Sequence, residues 1–336
     1  MKPVLDLLRR PLRDLRISVT DRCNFRCVYC MPKDVFGRGY DFLPEASVLS
    51  FKEITRLSCI FAALGAEKIR LTGGEPLLRR NLDRLVGNLA GIDGLREVTL
   101  TTNGSRLVEQ ARALRAAGLS RLTVSLDSLD DAVFRVMNDV DFPVHRVLHG
   151  IDAALDAGFA PIKINMVVKR GVNEDSVPAM ARHFRRHPFI LRFIEYMDVG
   201  ATNGWRLDDV VPAEEILDRV RAESPLEALP PNYPGEVARR FRHAEGGGEI
   251  GVISSISKPF CQGCTRARLS ADGRLYLCLF ATEGLDLRQP MRAGATDQDL
   301  TEIIASAWRT RSDRYSEIRS IQTERLLKAE MSLLGG

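Results

Sequence analysis

The sequence carries little charge in excess: 48 Lys and Arg against 44 Asp and Glu leave +4 over 336 residues. No basic block interrupts that balance, which argues against the tails that bind nucleic acid. An excess this small makes no polyanion track, though it is compatible with a few arginines gathered on one anionic small molecule. No apolar stretch reaches the roughly 18 residues that a membrane span needs. The opening residues lack the apolar core of a signal peptide and carry Lys2, Asp6, Arg9, Arg10, Arg13 and Asp14 instead. Histidine is scarce, with five residues and none after Cys278. The seven cysteines are odd in number and grouped as three, one and three, which argues for metal rather than disulfides. A cytoplasmic, oxygen-sensitive protein is expected, with no membrane and no nucleic-acid partner.

What is present is organised around one stretch. Leu15, Ile17 and Val19 alternate with Arg16, Ser18 and Thr20, the pattern of a strand. Directly after it stand Cys23, Cys27 and Cys30, spaced C-x3-C-x2-C with Tyr29 between the last two. Clusters of four irons are normally held by four thiolates. Three leave one iron open, and an open position is what a catalytic metal site keeps. S-adenosylmethionine (SAM), whose amino and carboxylate groups can chelate that iron, is the expected tenant, because iron–sulfur and SAM chemistry together generate radicals. A structural zinc site is the competing reading.

Downstream, strands and helices alternate. Phe51 to Leu64 reads as an amphipathic helix, with Cys59 inside it as a buried thiol acting as a small hydrophobe. Strands follow at Lys68–Thr72, Glu97–Thr102, Arg121–Leu126, Ile162–Val168 and Phe189–Met197. Helices at 82–89, 107–117, 131–137, 147–157 and 176–187 separate them. Six such alternations imply a parallel sheet curling into a partial barrel. Chemistry in such barrels sits at the C-terminal ends of the strands. Gly73-Gly74-Glu75-Pro76 ends the second strand there, and Thr101, Thr102, Asn103, Ser125 and Asp127 lie at later strand ends. In the fifth strand Lys163 and Asn165 put a polar face on a strand that should be wholly buried. A buried lysine needs a partner or a ligand, so Lys163 either pairs with Glu195 or Asp127 or contacts a ligand.

After Met197 the pattern changes. A helix is expected at 213–221, then a proline-rich connection from Ser224 to Gly235, which marks the domain boundary. Gly246-Gly247-Gly248 and Asp272-Gly273 read as turns between short strands. Cys261, Cys264 and Cys278 form a C-x2-C-x13-C group. Period two places Cys264, Arg266 and Arg268 on one strand face. Their guanidinium forks match phosphate oxygens. A zinc ribbon is the alternative, but a closed zinc site wants four ligands, and His243 is the nearest further candidate. A second cubane with an open iron is the preferred reading.

The cysteine loop resembles that of the radical SAM superfamily, and the string Pro11 to Asn24 resembles the GTP 3′,8-cyclase family within it, which opens molybdenum cofactor biosynthesis. Four motifs carry the resemblance in order: the cysteine loop, Gly-Gly-Glu-Pro, the second cysteine group with its arginines, and the terminal Gly335-Gly336. It implies an α/β fold, a partial (β/α)6 TIM-like barrel over residues 1–222 with the first cluster. A smaller C-terminal domain over 223–336 would carry the second cluster and a double-glycine tail reaching the active site. The implied cofactors are two [4Fe-4S] clusters, on Cys23, Cys27 and Cys30 and on Cys261, Cys264 and Cys278, together with SAM. Tyr29, Gly74, Ser125 and Met197 match SAM contacts of the family. Arg16, Arg70, Thr101, Lys163, Arg192, Arg266 and Arg268 match its GTP contacts, with the second cluster on the guanine. Arg16, Arg266 and Arg268 are also the candidate catalytic residues for the later reduction and protonation. Implied partners are a flavodoxin or ferredoxin as electron donor and cyclic pyranopterin monophosphate synthase as the next enzyme, with room for a homodimer. Two rivals are a radical SAM peptide-modifying maturase and a non-catalytic metal-stabilised binding protein.

Overall fold

The alternation that begins at Asp14 becomes the first of six parallel strands within a twelve-stranded sheet in the computed structural model, which describes residues 3–185, 188–319 and 327–335. Strand β1 (Asp14–Ser18) buries Leu15 and Ile17 completely. It pairs in parallel with β2 (Lys68–Thr72), which pairs with β3 (Glu97–Thr102), β4 (Arg121–Ser125), β5 (Ile162–Val168) and β6 (Phe189–Glu195) in turn. Every crossover between them is helical, as parallel pairing requires. The helix Phe51–Ala63 shows how these segments hold together: Ser50 and Glu53 form a capping box at its start, and Ile54, Leu57, Ile60 and Phe61 pack into the core. Caps of this kind contribute about 1 kcal/mol. Cys59 departs from its expected burial: it sits on the solvent side of this helix while Ser58 takes the inward position.

The expected connection from Ser224 to Gly235 contains a strand, β7 (Leu226–Leu229). It is an edge strand flanked by Pro225 and Pro230, the place where a sheet tolerates proline. Antiparallel hairpins follow as expected: β8 (Arg239–His243) with β9 (Glu249–Ile253), and β10 (Arg266–Leu269) with β11 (Arg274–Tyr276), which pairs in turn with β12 (Leu285–Asp286). These strands add to both edges of the first six. β9 runs parallel to β6, and β10 runs parallel to β1. The second cysteine group therefore stands next to the first strand of the chain, across a register that sets Arg268 beside Arg16.

Strand β6 stops at Glu195, two residues earlier than its apolar pattern suggests. Loop bonds replace the ladder there: Trp205 Nε1 donates to the Tyr196 carbonyl at 3.0 Å, and Asn203 Nδ2 to that of Met197 at 3.0 Å. The helix expected to reach His187 is Val177–His183, and residue 187 lies outside the described residues.

Candidate active site

The C-terminal ends of β1 to β6 and the loops after β9 enclose one cavity, and both cysteine groups line it. On one side stand Cys23, Cys27 and Cys30, on the other Cys261, Cys264 and Cys278, and none is in a disulfide. Among the described residues no three His, Cys, Asp or Glu side chains converge on one point as a single ion requires. Thiolates on a cubane each bind a different iron, so they need not converge.

The first loop is held by backbone contacts. Gly74 N–H donates to the Thr20 carbonyl at 2.8 Å and Glu75 N–H to that of Arg22 at 2.8 Å. A Cβ on Gly74 would stand 2.5 Å from the carbonyl carbon of Arg22, so only glycine lets the two loops lie together. Glu75 is buried and accepts from Thr102 Oγ1 at 2.6 Å and Asn103 N at 2.7 Å, which ties the third strand end to the loop. Burial outweighs those bonds and raises the Glu75 carboxyl to about 7. Tyr29 donates its hydroxyl to Asp127 Oδ2 at 2.8 Å. Burial pushes the Cys23 thiol up to about 12 and raises Cys27 and Cys30 too. Three half-buried thiols facing one cavity have the donor chemistry of an iron–sulfur site, where metal displaces the protons that burial favours.

The second group differs. Burial would raise the Cys264 thiol, but Arg266 and Arg311 beside it bring it down to about 6. Arg266 Nη2 lies 3.3 Å from Cys264 Sγ and Arg311 Nη2 3.2 Å. The Cys278 thiol is raised by burial to about 11.

Between the two groups lies a basic floor. The sheet register sets Arg268, Arg16 and Arg70 side by side across β10, β1 and β2, at strand spacings of about 4.8 Å. Burial, then Arg70 and Arg266, lowers Arg16 to about 9. Burial lowers Arg70 to about 10 and Arg192 to about 10, and depresses Arg268 strongly, with Arg16 next to it. Thr101 Oγ1 accepts from Arg70 at 3.0 Å, and Asn165 Oδ1 accepts from Arg192 Nε at 3.0 Å. Buried like charges in this number are costly unless an anion joins them.

Lys163 has neither of the partners considered for it. Glu195 is taken by the backbone of Ala213, Ile256 and Ser257, and Asp127 by Tyr29 and Val167. Burial first, then Arg192, Arg121, Arg70 and Lys68, push its ammonium down to about 6. It pairs in register with Thr123 on β4 and is not among the residues that line the cavity. The other sixteen candidates, Gly74, Ser125 and Met197 among them, line the cavity.

The tail reaches the same place. Lys328 Nζ donates to Asp198 Oδ2 at 2.8 Å, Glu330 accepts from the Ala201 amide at 3.0 Å, and the helix Met331–Leu334 brings Gly335 against Thr72 and Arg268. Gly336 lies outside the described residues. Sequence reasoning did not identify Asp6, Arg10, Asp198, Arg311 and Glu330 as parts of this region. No local pattern marks them, because each acts across a long sequence separation.

The chain matches the Radical SAM superfamily over residues 17–184 and Molybdenum Cofactor Synthesis C over residues 189–317. It is 55% identical over 327 residues to the GTP 3′,8-cyclase of Acidothermus cellulolyticus, covering 96% of this chain and 90% of that one. It is 50% identical to the GTP 3′,8-cyclase of Xanthomonas campestris pv. campestris over 99% of this chain and 98% of that one. Against the Staphylococcus epidermidis GTP 3′,8-cyclase it is 48% identical over the full length of both. Among solved structures, Streptococcus suis SuiB bound to S-adenosylmethionine shares the fold, with a TM-score of 0.61 at 15% identity over 93% of this chain and 68% of that one.

Proposed function

The chain belongs to the GTP 3′,8-cyclase family of radical SAM enzymes, and from that premise we propose how its residues carry out the cyclisation. It converts GTP to (8S)-3′,8-cyclo-7,8-dihydroguanosine 5′-triphosphate, the first step of molybdenum cofactor biosynthesis. The observation that carries this reading is full-length identity of about half to named cyclases, combined with two cysteine triplets facing a basic floor. A peptide-modifying maturase has only the shared fold in its favour, since the SuiB complex with its precursor peptide is 16% identical.

A bound iron–sulfur cluster with SAM would supply the radical chemistry that removes the 3′ hydrogen of GTP and lets C3′ bond to C8. The protein's own part is placement, and near-attack geometry is entropy that binding provides in advance. Cys23, Cys27 and Cys30 hold the first cluster. Tyr29, oriented by Asp127, and Gly74, Ser125 and Met197 would hold SAM. Arg16, Arg70, Thr101 and Arg192 on the cavity wall receive the triphosphate, whose charge relieves the repulsion among the cations, and Lys163 reaches it by extending its side chain past that wall. Cys261, Cys264 and Cys278 would hold a second [4Fe-4S] cluster, which would supply an open iron for the guanine. Arg16, Arg266 and Arg268, on the paired strands β1 and β10, are the residues that can assist reduction and protonation of the ring-closed product. Residues 1–222 supply the barrel and residues 223–336 the second cluster and tail, joined in one sheet.

The same reading extends to partners. A flavodoxin or ferredoxin supplies the electron, and cyclic pyranopterin monophosphate synthase takes the product. A homodimer in the cytoplasm, where thiols stay reduced, completes it. No described helix is long and apolar enough to cross a membrane.

The test is anaerobic turnover of reconstituted protein with SAM, reductant and 3′-deuterated GTP. Deuterium in the 5′-deoxyadenosine is the expected result. Unlabelled 5′-deoxyadenosine would overturn the substrate position.

A further inference from the structure

The second cysteine group rests on a buried ionic network contributed by the two ends of the chain. Asp6, Arg10 and Arg311 have side chains 0%, 2% and 1% exposed. Asp6 Oδ2 accepts from Arg10 Nε at 2.6 Å and lies 3.3 Å from Arg311 Nη1, so one carboxylate braces two guanidinium groups. Both arginines then reach the cysteine loop. Arg10 Nη1 donates to the Cys261 carbonyl at 2.8 Å, Arg311 Nη1 to the Cys264 carbonyl at 2.8 Å, and Arg311 Nη2 to Cys264 Sγ at 3.2 Å. The brace is itself fixed: Leu7 N–H donates to the Arg311 carbonyl at 3.3 Å, and Trp308 Nε1 to the Arg10 carbonyl at 3.1 Å. The Arg311 guanidinium lies over the Trp308 ring, 4.6 Å from its centroid.

We infer that Arg311, held by Asp6, is a positioning residue that sets the reduction potential of the cluster carried by Cys261, Cys264 and Cys278. The inference rests on the second-cluster reading proposed above. Its physical basis is the charge change on reduction. A cubane gains one negative charge when it takes an electron, and hydrogen bonds to ligating sulfur together with nearby buried cations favour that more negative state. The network places two cations and one anion out of water, where Coulomb interactions are weakly screened. Arg311 is the member that touches sulfur. Asp6 has the opposite sign, so its charge works against reduction while its hydrogen bonds keep Arg311 in place.

These opposite signs separate tuning from scaffolding. In full-length protein with Cys23, Cys27 and Cys30 replaced by alanine, only the second site can hold a cluster. Iron content per chain and an EPR-monitored redox titration are read on that protein after anaerobic reconstitution. Arg311→Gln, which keeps a donor amide but removes the cation, should shift the midpoint potential to more negative values. Asp6→Asn, which keeps the shape but removes the anion, should shift it to more positive values. Unchanged potentials, or shifts of the same sign in both variants, would overturn the inference. If one variant fails to retain iron, the direction of the other decides. Loss of iron from both, with the circular dichroism of the folded chain intact, would reduce the network to scaffolding and overturn control of the potential. No iron in the starting triple-alanine protein would instead overturn the second-cluster reading.

Discussion

The Arg268 guanidinium on β10 donates to the carbonyl of Gly335, one of the last residues of the chain. The contact ties the C-terminal tail to the strand that carries the second cysteine group's arginines. It also places the tail at the junction of β1 and β2, where Thr72 stands beside Gly335. Two predictions concern its two partners.

Replacing Arg268 by alanine removes one cation from the floor and the anchor of the tail together. Cyclised product should fall by about 10²-fold or more, the usual consequence of deleting a charged donor that faces developing charge. Cleavage of SAM to 5′-deoxyadenosine should persist. Chromatography of both products in one reaction checks this, and unimpaired cyclisation would remove Arg268 from the site.

Gly335 has φ of +66°, and a Cβ there would run into the Thr72 hydroxyl. Gly335→Ala should undock the tail, at a cost of about 1 kcal/mol for the backbone alone. Faster proteolysis after Leu327 and reduced cyclisation are expected, with the thermal midpoint of the barrel unchanged. A tail as protease-resistant as that of the parent would show that the contact does not hold it.

Lys163 gives a pH dependence whose sign can be worked out. Its folded value, about 6, lies below the ordinary 10.5. Between those values the unfolded chain binds a proton that the folded chain lacks, so this group makes stability rise with pH across that window. Lys163→Met should therefore exceed the parent in thermal midpoint most below pH 6, and the gap should close towards pH 10.5. A triphosphate beside the amine reverses the shift. GTP binding near pH 7.5 should take up as much as about one proton, read by calorimetry in buffers of different ionisation enthalpy. A binding enthalpy independent of buffer would count against Lys163 as a triphosphate ligand.

In iron-free protein the six candidate ligands should not be equally reactive. Thiolate is the nucleophile, and Cys264, at about 6, is ionised at pH 7, whereas Cys278 at about 11 and Cys23 at about 12 are not. In a Cys59→Ser background, which removes the exposed thiol, iodoacetamide at pH 7 should label Cys264 first. Peptide mass mapping reads the order, and preferential labelling of Cys23 would contradict the arginine environment described for Cys264.

The sequence by itself determined the strand and helix order of the barrel and the two cysteine groups. These are local facts: a period of two or 3.6, a glycine pair after a strand, a spacing between thiols. Strands β2, β3 and β5 begin and end where their patterns do. The failures were failures of environment. Cys59 reads as apolar in a one-dimensional pattern, yet the phase of its helix turns it to solvent. The proline-rich segment from 224 to 235 hides β7, because an edge strand needs hydrogen bonds on one side only.

Only the tertiary structure decided which charges share one low-dielectric space. Arg16, Arg70 and Arg268 become neighbours through parallel register, and Arg311 reaches Cys264 from 47 residues away. Among the described residues Lys163 pairs with neither Glu195 nor Asp127, because these are used by backbone donors and Tyr29. The reason is physical: ligand identity follows from residue type and spacing along the chain, whereas protonation, repulsion and redox poise follow from burial and distance, which the folded chain alone sets.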